Sequence, residues 1–479
     1  MAKEQLFDDF SGFSKAEWKQ KIETDLKGKP YQSLVSVNGS GIEVEPVYTS
    51  EDLNLDNESP GSGSYRRGSK VNNNEWVIDE MFETSNDVKA DNARVLKMLN
   101  SGLTSLSFSG SVAKEVLAGV LPEHVNLGFS RYSKLSDQVQ EVQAAFGNEI
   151  NDYKIYFNYD PIGSATINGN WNQPNELQVW LDSLASLKNY SSSKLFSVSG
   201  HNYHNAGGNA ISELAFTLAH AHEYVVYLLE NGYSIDDASA QFKIDLASGG
   251  DYFLEIAKVR AFRMLWAKLI STYNPKYSCS KSIIIHSHTS QYLSTVYDPY
   301  VNMLRGTTQA MSAVLGGCDI LRVLPYDTAW SRGGEFSRRI ARNVQLMLKE
   351  ESYLDKVIDP AGGSYYIDRL TNELGNAAWE KFRKIEKKGG FIGLMESGNL
   401  DRELKEDHQL QLNKLTSNEL QVLGVSLYPN PDDKMLDQLN EVESAENNNI
   451  QSFKPISLVR LVGELEEERL EKEIEEVEA

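Results

Sequence analysis

The chain has 479 residues, of which 41% are hydrophobic and 24% are charged, a composition typical of a folded protein with a large core. Its two cysteines, Cys279 and Cys318, are too few for a disulfide framework and favour a reducing compartment. The formal net charge of -21 argues against nucleic acid as a partner, because phosphate-backbone binding depends on clustered Lys and Arg.

The first ten residues are polar and carry four charged side chains, so they resemble neither a secretory signal nor a transit peptide. No stretch of the sequence approaches the roughly 20 apolar residues that a membrane-spanning helix needs. We therefore expect a cytoplasmic protein whose partners include neither a membrane nor nucleic acid.

Residues 1–100 are predicted to form an N-terminal extension outside the main domain. The extension is polar up to about Pro60, apart from an amphipathic stretch at Lys15–Leu26. A loop rich in Ser and Gly follows at residues 59–64, as expected of a segment that connects two parts of a chain.

From Leu103 onward, short runs of β-forming residues alternate with longer segments of helical periodicity. Such alternation is typical of β/α units and of a parallel sheet. Helices are expected at Ile211–Glu230, Tyr252–Ile270, Val301–Leu315 and Phe336–Lys349. The candidate strands are Leu103–Phe108, His124–Phe129, Tyr153–Asn158, Leu195–Ser199, Phe242–Ala247, Ser282–His286, Ile320–Leu324 and Ser364–Ile367.

Eight β/α units in roughly 270 residues match an α/β fold of the (β/α)8 TIM-barrel type, for which about 250 residues is typical. We place this barrel at residues 101–400. A doubly wound open sheet is the competing topology, because periodicity does not distinguish a closed sheet from an open one. Residues 401–479 are predicted to be a C-terminal linker and an acidic helical tail, with the Glu-rich end forming a solvated surface helix rather than a docking element.

Four histidines are placed near the ends of two candidate strands. His201 and His204 follow the fourth candidate strand, and His286 and His288 lie at the end of the sixth. Because both strand ends lie on the C-terminal face of a barrel, these imidazoles are predicted to approach one another. Grouped imidazoles suit zinc, but no supporting carboxylates are clearly placed, so we predict hydrogen-bonded groups and no metal. A metal site stays open as the alternative.

Three other features of the sequence receive structural interpretations. His220 and His222 are two residues apart on one predicted helix, so they point to different faces, and a solvated or interface helix is expected. Cys318 is expected to be a buried apolar filler at the start of a strand. Gly249-Gly250 follows a strand and precedes a helix, and a tight turn is expected there rather than a phosphate loop.

Nine segments of the chain carry long, specific motifs. They are DLKGKPY at Asp25–Tyr31, PVYT at Pro46–Thr49, AGGN at Ala206–Asn209, ELAFTLA at Glu213–Ala219, EIAKVRA at Glu255–Ala261, DPY at Asp298–Tyr300, AVLGG at Ala313–Gly317, SRRIARN at Ser337–Asn343 and VIDPAGGSYY at Val357–Tyr366. These segments resemble the substrate-binding part of the methylmalonyl-CoA mutase family. The resemblance runs from about residue 15 to residue 400.

The resemblance implies a barrel that encloses an acyl-CoA along its axis and a separate cobalamin domain that caps the mouth. That domain carries the motif Asp-x-His-x-x-Gly, whose histidine ligates cobalt. The motif does not occur in these 479 residues, and the nearest stretch, Asp407-His408-Gln409, has the wrong spacing and no glycine. We therefore expect no flavodoxin-like cobalamin-binding domain and no cofactor bound by this chain, with adenosylcobalamin in a partner subunit.

The family's active site is altered at three places. Catalytic members carry Tyr-His after Ser-Gly, where this chain has His201-Asn202, and an asparagine cannot serve as an acid or base near neutral pH. The family's Trp-Thr-Ile-Arg-Gln stretch, which closes over the thioester, is matched by WVIDE at Trp76–Glu80, whose two acids would repel an anionic acyl-CoA. The family's His-Ser-Gln-Thr-Ser-Gly is matched by HSHTSQ at His286–Gln291.

These differences imply a retired site with no catalytic residue in this chain. His201 and Asn202 are its degenerate positions. A vestigial substrate pocket is assigned to seven side chains, two of which match a family patch of arginines near the CoA entrance: Tyr65, Arg66, Arg67, Trp76, His204, His286 and His288.

The resemblance thus implies a small, non-catalytic subunit of a heterodimeric, adenosylcobalamin-dependent methylmalonyl-CoA mutase, an isomerase of propionate metabolism. Its expected role is structural, with the N-terminal extension contacting a large catalytic subunit and covering the barrel. When the large subunit is absent, the alternative assembly is a homodimer of this chain. The alternatives are the catalytic barrel of a split acyl-CoA mutase with a separate cobalamin subunit, and a metal-dependent, hydrolase-like barrel.

Overall fold

The computed structural model of the chain describes residues 12–53, 58–85, 87–109, 112–130, 142, 144, 146–171, 181, 193–439 and 453–478. The N-terminal segment begins with helix α1 (Lys15–Asp25), where Ser14 and Glu17 form a reciprocal capping box. Two short antiparallel strands follow, β1 (Ser36–Val37) and β2 (Glu43–Val44). Helix α1 buries none of its residues, so this chain alone does not give it a packed face.

Eight parallel strands, β3 to β10, close into a barrel in which β10 pairs with β3. Each strand pairs with its neighbour in chain order, which is the topology of a (β/α)8 barrel. The predicted fold class is therefore confirmed, and the open-sheet alternative is wrong. The strands are β3 (Val77–Phe82), β4 (Ser105–Phe108), β5 (Asn126–Phe129), β6 (Lys154–Tyr159), β7 (Ser193–Ser199), β8 (Phe242–Ser248), β9 (Ile284–Thr289) and β10 (Ile320–Arg322).

The helices surround the barrel and continue beyond its last strand. The predicted helices in the middle of the chain are confirmed, and α9 ends in a turn of π-helix at Met347–Glu351. None of the helices in the described ranges is long and apolar enough to cross a membrane. The helices after α1 are α2 (Val88–Leu99), α3 (Pro161–Asn168), α4 (His201–Asn205), α5 (Ala210–Glu230), α6 (Ile235–Ser239), α7 (Tyr252–Ser271), α8 (Val301–Leu315), α9 (Glu335–Leu346), α10 (Tyr365–Lys387), α11 (Gly390–Glu396), α12 (Asn399–Thr416), α13 (Leu436–Leu439) and α14 (Gly463–Glu478).

One observed barrel strand was not predicted, and the last predicted strand is not a strand. The barrel starts at Val77–Phe82, inside the segment that the sequence assigned to the N-terminal extension. The predicted strand at Ser364–Ile367 is wrong, because Ser364 caps helix α10 and accepts a hydrogen bond from the backbone N–H of Ile367. A serine cap followed by helical periodicity outweighs the β preference of the two tyrosines there.

Buried ion pairs join the outer helices to one another. Lys258 of α7 lies 2.6 Å from Glu213 of α5 and 2.6 Å from Glu255, and the lysine and Glu213 side chains are fully buried. Arg260, two residues further along α7, pairs with Asp359 and Asp368. Glu255, Lys258 and Arg260 belong to the EIAKVRA motif and Asp359 belongs to VIDPAGGSYY, so part of the motif pattern serves to fix helix α7 in the barrel wall.

The Glu-rich C-terminal helix is a surface helix, as predicted, but two of its glutamates are buried, so it is docked on the chain and not fully solvated. Glu466 is buried and accepts the backbone N–H of Val296 at 2.7 Å, and Glu473 is buried and accepts that of Met435 at 3.1 Å. The two glutamates are seven residues apart, which places them on one face of a helix. Their burial is tolerated because backbone donors replace the water around each carboxylate.

Candidate functional site

The inner surface of the barrel combines small residues on one side with charged and aromatic-ring side chains on the other. Strands β4, β5 and β7 contribute Ser105, Ser107, Gly128 and Ser197. The register pairs Arg322 of β10 with Asp79 of β3 and with His288 of β9, and pairs Asp245 of β8 with His286 of β9. Alternation along each strand therefore directs these groups into one shared space. We call Asp79, Lys243, Asp245, His286, His288 and Arg322 the lumen cluster.

Asp79 forms the first ion pair of the lumen cluster. Its carboxylate accepts hydrogen bonds from Ser105 Oγ at 2.7 Å, from Ser107 Oγ at 2.9 Å and from Arg322 Nε at 2.7 Å. Burial by itself would raise the pKa of Asp79, but Arg322, His286 and the hydrogen bonds outweigh it and lower that pKa to about 2. Asp79 is therefore charged near neutral pH, and its charge is balanced by Arg322.

Lys243 and Asp245 form the second pair and lie two residues apart on β8. Lys243 Nζ donates to Asp245 Oδ1 at 2.5 Å and lies 3.1 Å from His286 Nδ1, while Ser197 Oγ donates to the other carboxylate oxygen. Burial raises the pKa of Asp245, yet the adjacent ammonium and imidazole groups hold it well below its usual value. With His286 Nε2 only 3.5 Å from Asp79 Oδ2, the two pairs form one network that runs from β4 around to β7.

Three imidazoles stack at the C-terminal end of the lumen. The rings of His201 and His288 lie 4.6 Å apart and within 4° of parallel, and those of His286 and His288 lie 4.1 Å apart. Burial lowers the pKa of His201 to about 4 and of His288 to about 3, and it lowers the pKa of His286 well below its usual value. All three imidazoles are therefore neutral near pH 7.

His201, Asp245 and His288 are the described residues that come closest to a metal site, with donor atoms within 4.8 Å of one another. Asp245 Oδ1, however, already accepts the ammonium of Lys243. In parallel stacked rings the lone pairs do not converge on one point, as tetrahedral zinc requires. The carboxylates of the lumen cluster are already balanced by Lys243 and Arg322, so the arrangement as it stands does not fit a divalent cation.

His204 lies apart from the other predicted histidines. Its Nε2 is 2.8 Å from Ser290 Oγ, and its Nδ1 is 3.6 Å from Glu213, so it belongs to the Glu213–Lys258 group behind the strand ends. Burial and the nearby Lys258 hold the pKa of His204 well below its usual value. Asn202 is the second residue of α4 and is partly buried, and Trp76 is buried just before β3.

The acids of the Trp76–Glu80 stretch are not free to repel an anion, so that part of the prediction is wrong. Asp79 points into the lumen and pairs with Arg322, whereas Glu80 points to the outer layer and lies 2.9 Å from Arg342 of α9. Both charges are neutralised by guanidinium groups. The sequence could not show this, because the two arginines are more than 240 residues away along the chain.

Tyr65, Arg66 and Arg67 lie at the opposite end of the barrel from the histidines. The hydroxyl of Tyr65 donates to the carbonyl of Ser278, just before β9, at 3.1 Å. Arg67 Nε donates to Asp359 at 2.7 Å. The structure therefore does not bring the seven residues of the predicted pocket together: the three in this loop attach it to the barrel, and only His286 and His288 belong to the lumen cluster.

Lys243, Asp245 and Arg322 were missed by sequence reasoning. A usable signal was present in the strand FKIDLAS, where two charges alternate with Phe242, Ile244 and Leu246. Because both faces of a parallel barrel strand are buried, such an alternating pair must point into the lumen.

His220 was expected on a solvated or interface helix, but it is buried inside this chain. Its Nε2 lies 2.9 Å from Asp160 and its Nδ1 lies 2.8 Å from the Tyr203 hydroxyl. His222 points to another face and contacts Tyr273, which agrees with the predicted divergence of the two rings.

An eight-stranded α/β barrel with an ion-paired lumen is the class that the fold and site define. The sequence model of the family described as methylmalonyl-CoA mutase matches residues 156–478. A methylmalonyl-CoA mutase small subunit of Porphyromonas gingivalis is 31% identical over 98% of this chain and 79% of its own length. One of Streptomyces virginiae is 32% identical over 85% of this chain and 67% of its own length, and a methylmalonyl-CoA mutase of Cereibacter sphaeroides is 30% identical over 86% and 64%. The chain belongs to the methylmalonyl-CoA mutase family.

His408 lies in the stretch of this sequence that is most similar to the family's cobalt-ligating motif. Its surroundings do not suit a cobalt ligand. Its Nδ1 lies 2.9 Å from the Tyr292 hydroxyl, and its side chain packs where a Cβ on Gly207 would be. The adjacent Asp407 is held by Asn209 and Ser212. The pair thus joins α12 to the start of α5 and does not present an imidazole to a corrin ring.

Proposed function

We propose that this chain is the non-catalytic small subunit of a heterodimeric, adenosylcobalamin-dependent methylmalonyl-CoA mutase that acts in cytoplasmic propionate metabolism. The large subunit interconverts methylmalonyl-CoA and succinyl-CoA and carries the cofactor. This chain supports the fold and stability of that subunit.

The observation that carries the proposal is the ion-paired lumen. Lys243 and Asp79 are each only 2% exposed although they lie on the inner face of the barrel, where the resemblance places an acyl-CoA. A ligand on the axis would have to separate Lys243 from Asp245 or Arg322 from Asp79, and breaking a buried pair costs about 3–5 kcal/mol. The names of the small-subunit relatives support the same role.

The residues at the end of β7 give a second line of support. His201 stands where the resemblance places the tyrosine of catalytic members, and its ring is stacked on that of His288. Burial lowers the pKa of His201 to about 4, so it is a poor proton donor near neutral pH. Asn202 offers neither an acid nor a base.

The test is a reconstitution with three preparations: this chain, the large subunit of the same organism, and the two together. Each preparation is assayed for methylmalonyl-CoA conversion with added adenosylcobalamin. We expect no turnover by this chain, and a higher unfolding temperature of the large subunit in the complex. Turnover by this chain with adenosylcobalamin alone would overturn the proposal.

In the split-mutase alternative, this chain is the catalytic barrel of an acyl-CoA mutase and a separate subunit binds cobalamin. It predicts turnover when a separate cobalamin-binding protein is added to this chain without the large subunit. The same reconstitution therefore includes that mixture as a fourth preparation. No turnover in the mixture, with turnover in the heterodimer, rejects the alternative.

A further inference from the structure

The outer faces of helices α8 and α9 carry exposed apolar side chains at helical spacing. Tyr300, at the start of α8, is 62% exposed, and Leu304, one turn later, is 64% exposed. On α9, Phe336 is 59% exposed and Met347, three turns later, is 39% exposed. The outer face of a barrel helix is normally polar, so two adjacent apolar stripes require an explanation.

Tyr326 joins the two stripes into one surface. Its ring centroid lies 5.4 Å from that of Tyr300 and 6.5 Å from that of Phe336. We call Tyr300, Leu304, Tyr326, Phe336 and Met347 the apolar face. Because the three aromatic rings are in contact, the face crosses from α8 to α9 at this point, and Met347 lies on the same side of α9 three turns further on.

A groove lies beside the apolar face, at the loop that carries Tyr326. Trp330 of that loop, Tyr297 and Leu470 of α14 line a largely apolar cavity of about 150 Å³. This volume suits one large apolar side chain. Interfaces commonly anchor such a side chain in a pocket, surrounded by a flatter apolar surface.

The apolar face has the size expected for the centre of a stable interface. From the exposed fractions of its side chains, it offers roughly 400–500 Å² of apolar surface. A standard interface buries about 800 Å² on each partner, and somewhat more than half of that is apolar. The face and the groove together thus match one partner of a specific complex.

The charges decide between a second copy of this chain and a different partner. Two copies would bring together two chains of net charge -21, and their repulsion opposes association. The rim of the face nevertheless carries the exposed arginines Arg332 and Arg339. Arg332 lies 3.5 Å from Glu83 but its side chain stays 87% exposed, and the neighbouring Glu335 is paired with Lys97. In a two-fold self-contact the same rim would meet itself, whereas a different chain can place carboxylates opposite the arginines.

We infer that the apolar face, with its groove, is the surface that binds the large mutase subunit. This inference rests on the proposed function and extends it, since it adds the wall of the barrel to the contact expected from the N-terminal extension. The large subunit is expected to insert an apolar side chain into the groove and to place carboxylates against Arg332 and Arg339.

The test uses the double variant Leu304→Glu, Phe336→Glu of the full chain. Both side chains are exposed, so the variant is expected to fold with the unfolding temperature of the wild type. Its affinity for the purified large subunit, measured by surface plasmon resonance, is expected to fall about 100-fold, as when central interface residues are lost. The matched control is Leu410→Glu on α12, a residue of similar exposure (58%), which is expected to change the affinity less than about threefold.

The outcomes separate the two proposals. Wild-type affinity in the double variant, with a tight wild-type complex, overturns the apolar face and leaves the subunit role intact. If the wild-type chain does not bind the large subunit, the proposed function fails first. A wild-type homodimer in light scattering that the double variant abolishes would make a second copy the occupant and overturn the inference.

Discussion

Replacing Lys243 by methionine removes the cation of a buried pair while keeping a side chain of similar length. Asp245 then keeps Ser197 and His286 as partners but loses the ammonium at 2.5 Å, and it stays almost fully buried. Loss of one partner from a buried pair costs about 3–5 kcal/mol, because the remaining charge is neither solvated nor paired. We expect the free energy of unfolding of Lys243→Met to be lower by that amount.

The assay is urea unfolding at pH 7.5, followed by circular dichroism and by tryptophan fluorescence. The matched control is Lys434→Met, whose partner Glu476 lies at 2.7 Å but whose side chains are both more than half exposed. That exposed pair should contribute less than about 1 kcal/mol. In the double variant Lys243→Met, Asp245→Asn, the amide still accepts from Ser197, so much of the loss should be recovered. Equal unfolding of the Lys243 and Lys434 variants would refute the ion-paired lumen.

Three further predictions follow from the same contacts. Burial lowers the pKa of His288 to about 3, whereas the unfolded chain takes up that proton near pH 6.5, so stability is lost as the pH falls below 6.5. At pH 5 the loss is about 2 kcal/mol, and urea unfolding of His288→Asn should show a correspondingly shallower pH dependence than the wild type. Glu473→Ala should speed hydrogen exchange at the amides of Met435 and Leu436 and leave exchange in strand β8 unchanged. Unchanged exchange at Met435 and Leu436 would contradict the docking of the C-terminal helix. Added zinc should leave the unfolding temperature of the wild type unchanged, and a rise would show that the lumen cluster holds a metal.

The barrel was predictable because its strands and helices repeat along the chain, and each unit is visible in local sequence. The strand Val77–Phe82 was missed because Asp79 and Glu80 interrupt its apolar run. Each acid is compensated by an arginine from a distant element, Arg322 or Arg342. The local sequence does not show that these acids are paired with distant arginines. Two adjacent acids therefore argue against a buried strand when the sequence is considered alone.

The candidate site was predictable only in part, for a related reason. The prediction that His286 and His288 approach each other is confirmed, since residues two apart on a strand point to the same face. The role of Lys243 depends on neighbours from strands β7 and β9, which only the closed sheet brings together. In the same way, Glu466 and Glu473 were predicted to be solvated because glutamate side chains are usually exposed. Their spacing of seven residues nevertheless places both on the same face of a helix.

The lumen cluster also shows how the interior of this barrel accommodates polar groups. A barrel core is usually filled by layers of branched apolar side chains. Here strands β4, β5 and β7 keep small residues such as Ser107, Gly128 and Ser197, which leave room on one side of the axis. The charged groups of β3, β8 and β10 extend into that room, and their carboxylates accept hydrogen bonds from the serine hydroxyls. The space beside Gly128 is taken by Ser107, since a Cβ there would lie 2.7 Å from its Oγ. Buried pairs of this kind add little net stability compared with apolar packing, but they strongly penalise any arrangement that separates them. Under the proposed function we therefore expect this lumen to exclude an axial acyl-CoA, and we expect the chain to act on its partner through the outer surface of the barrel.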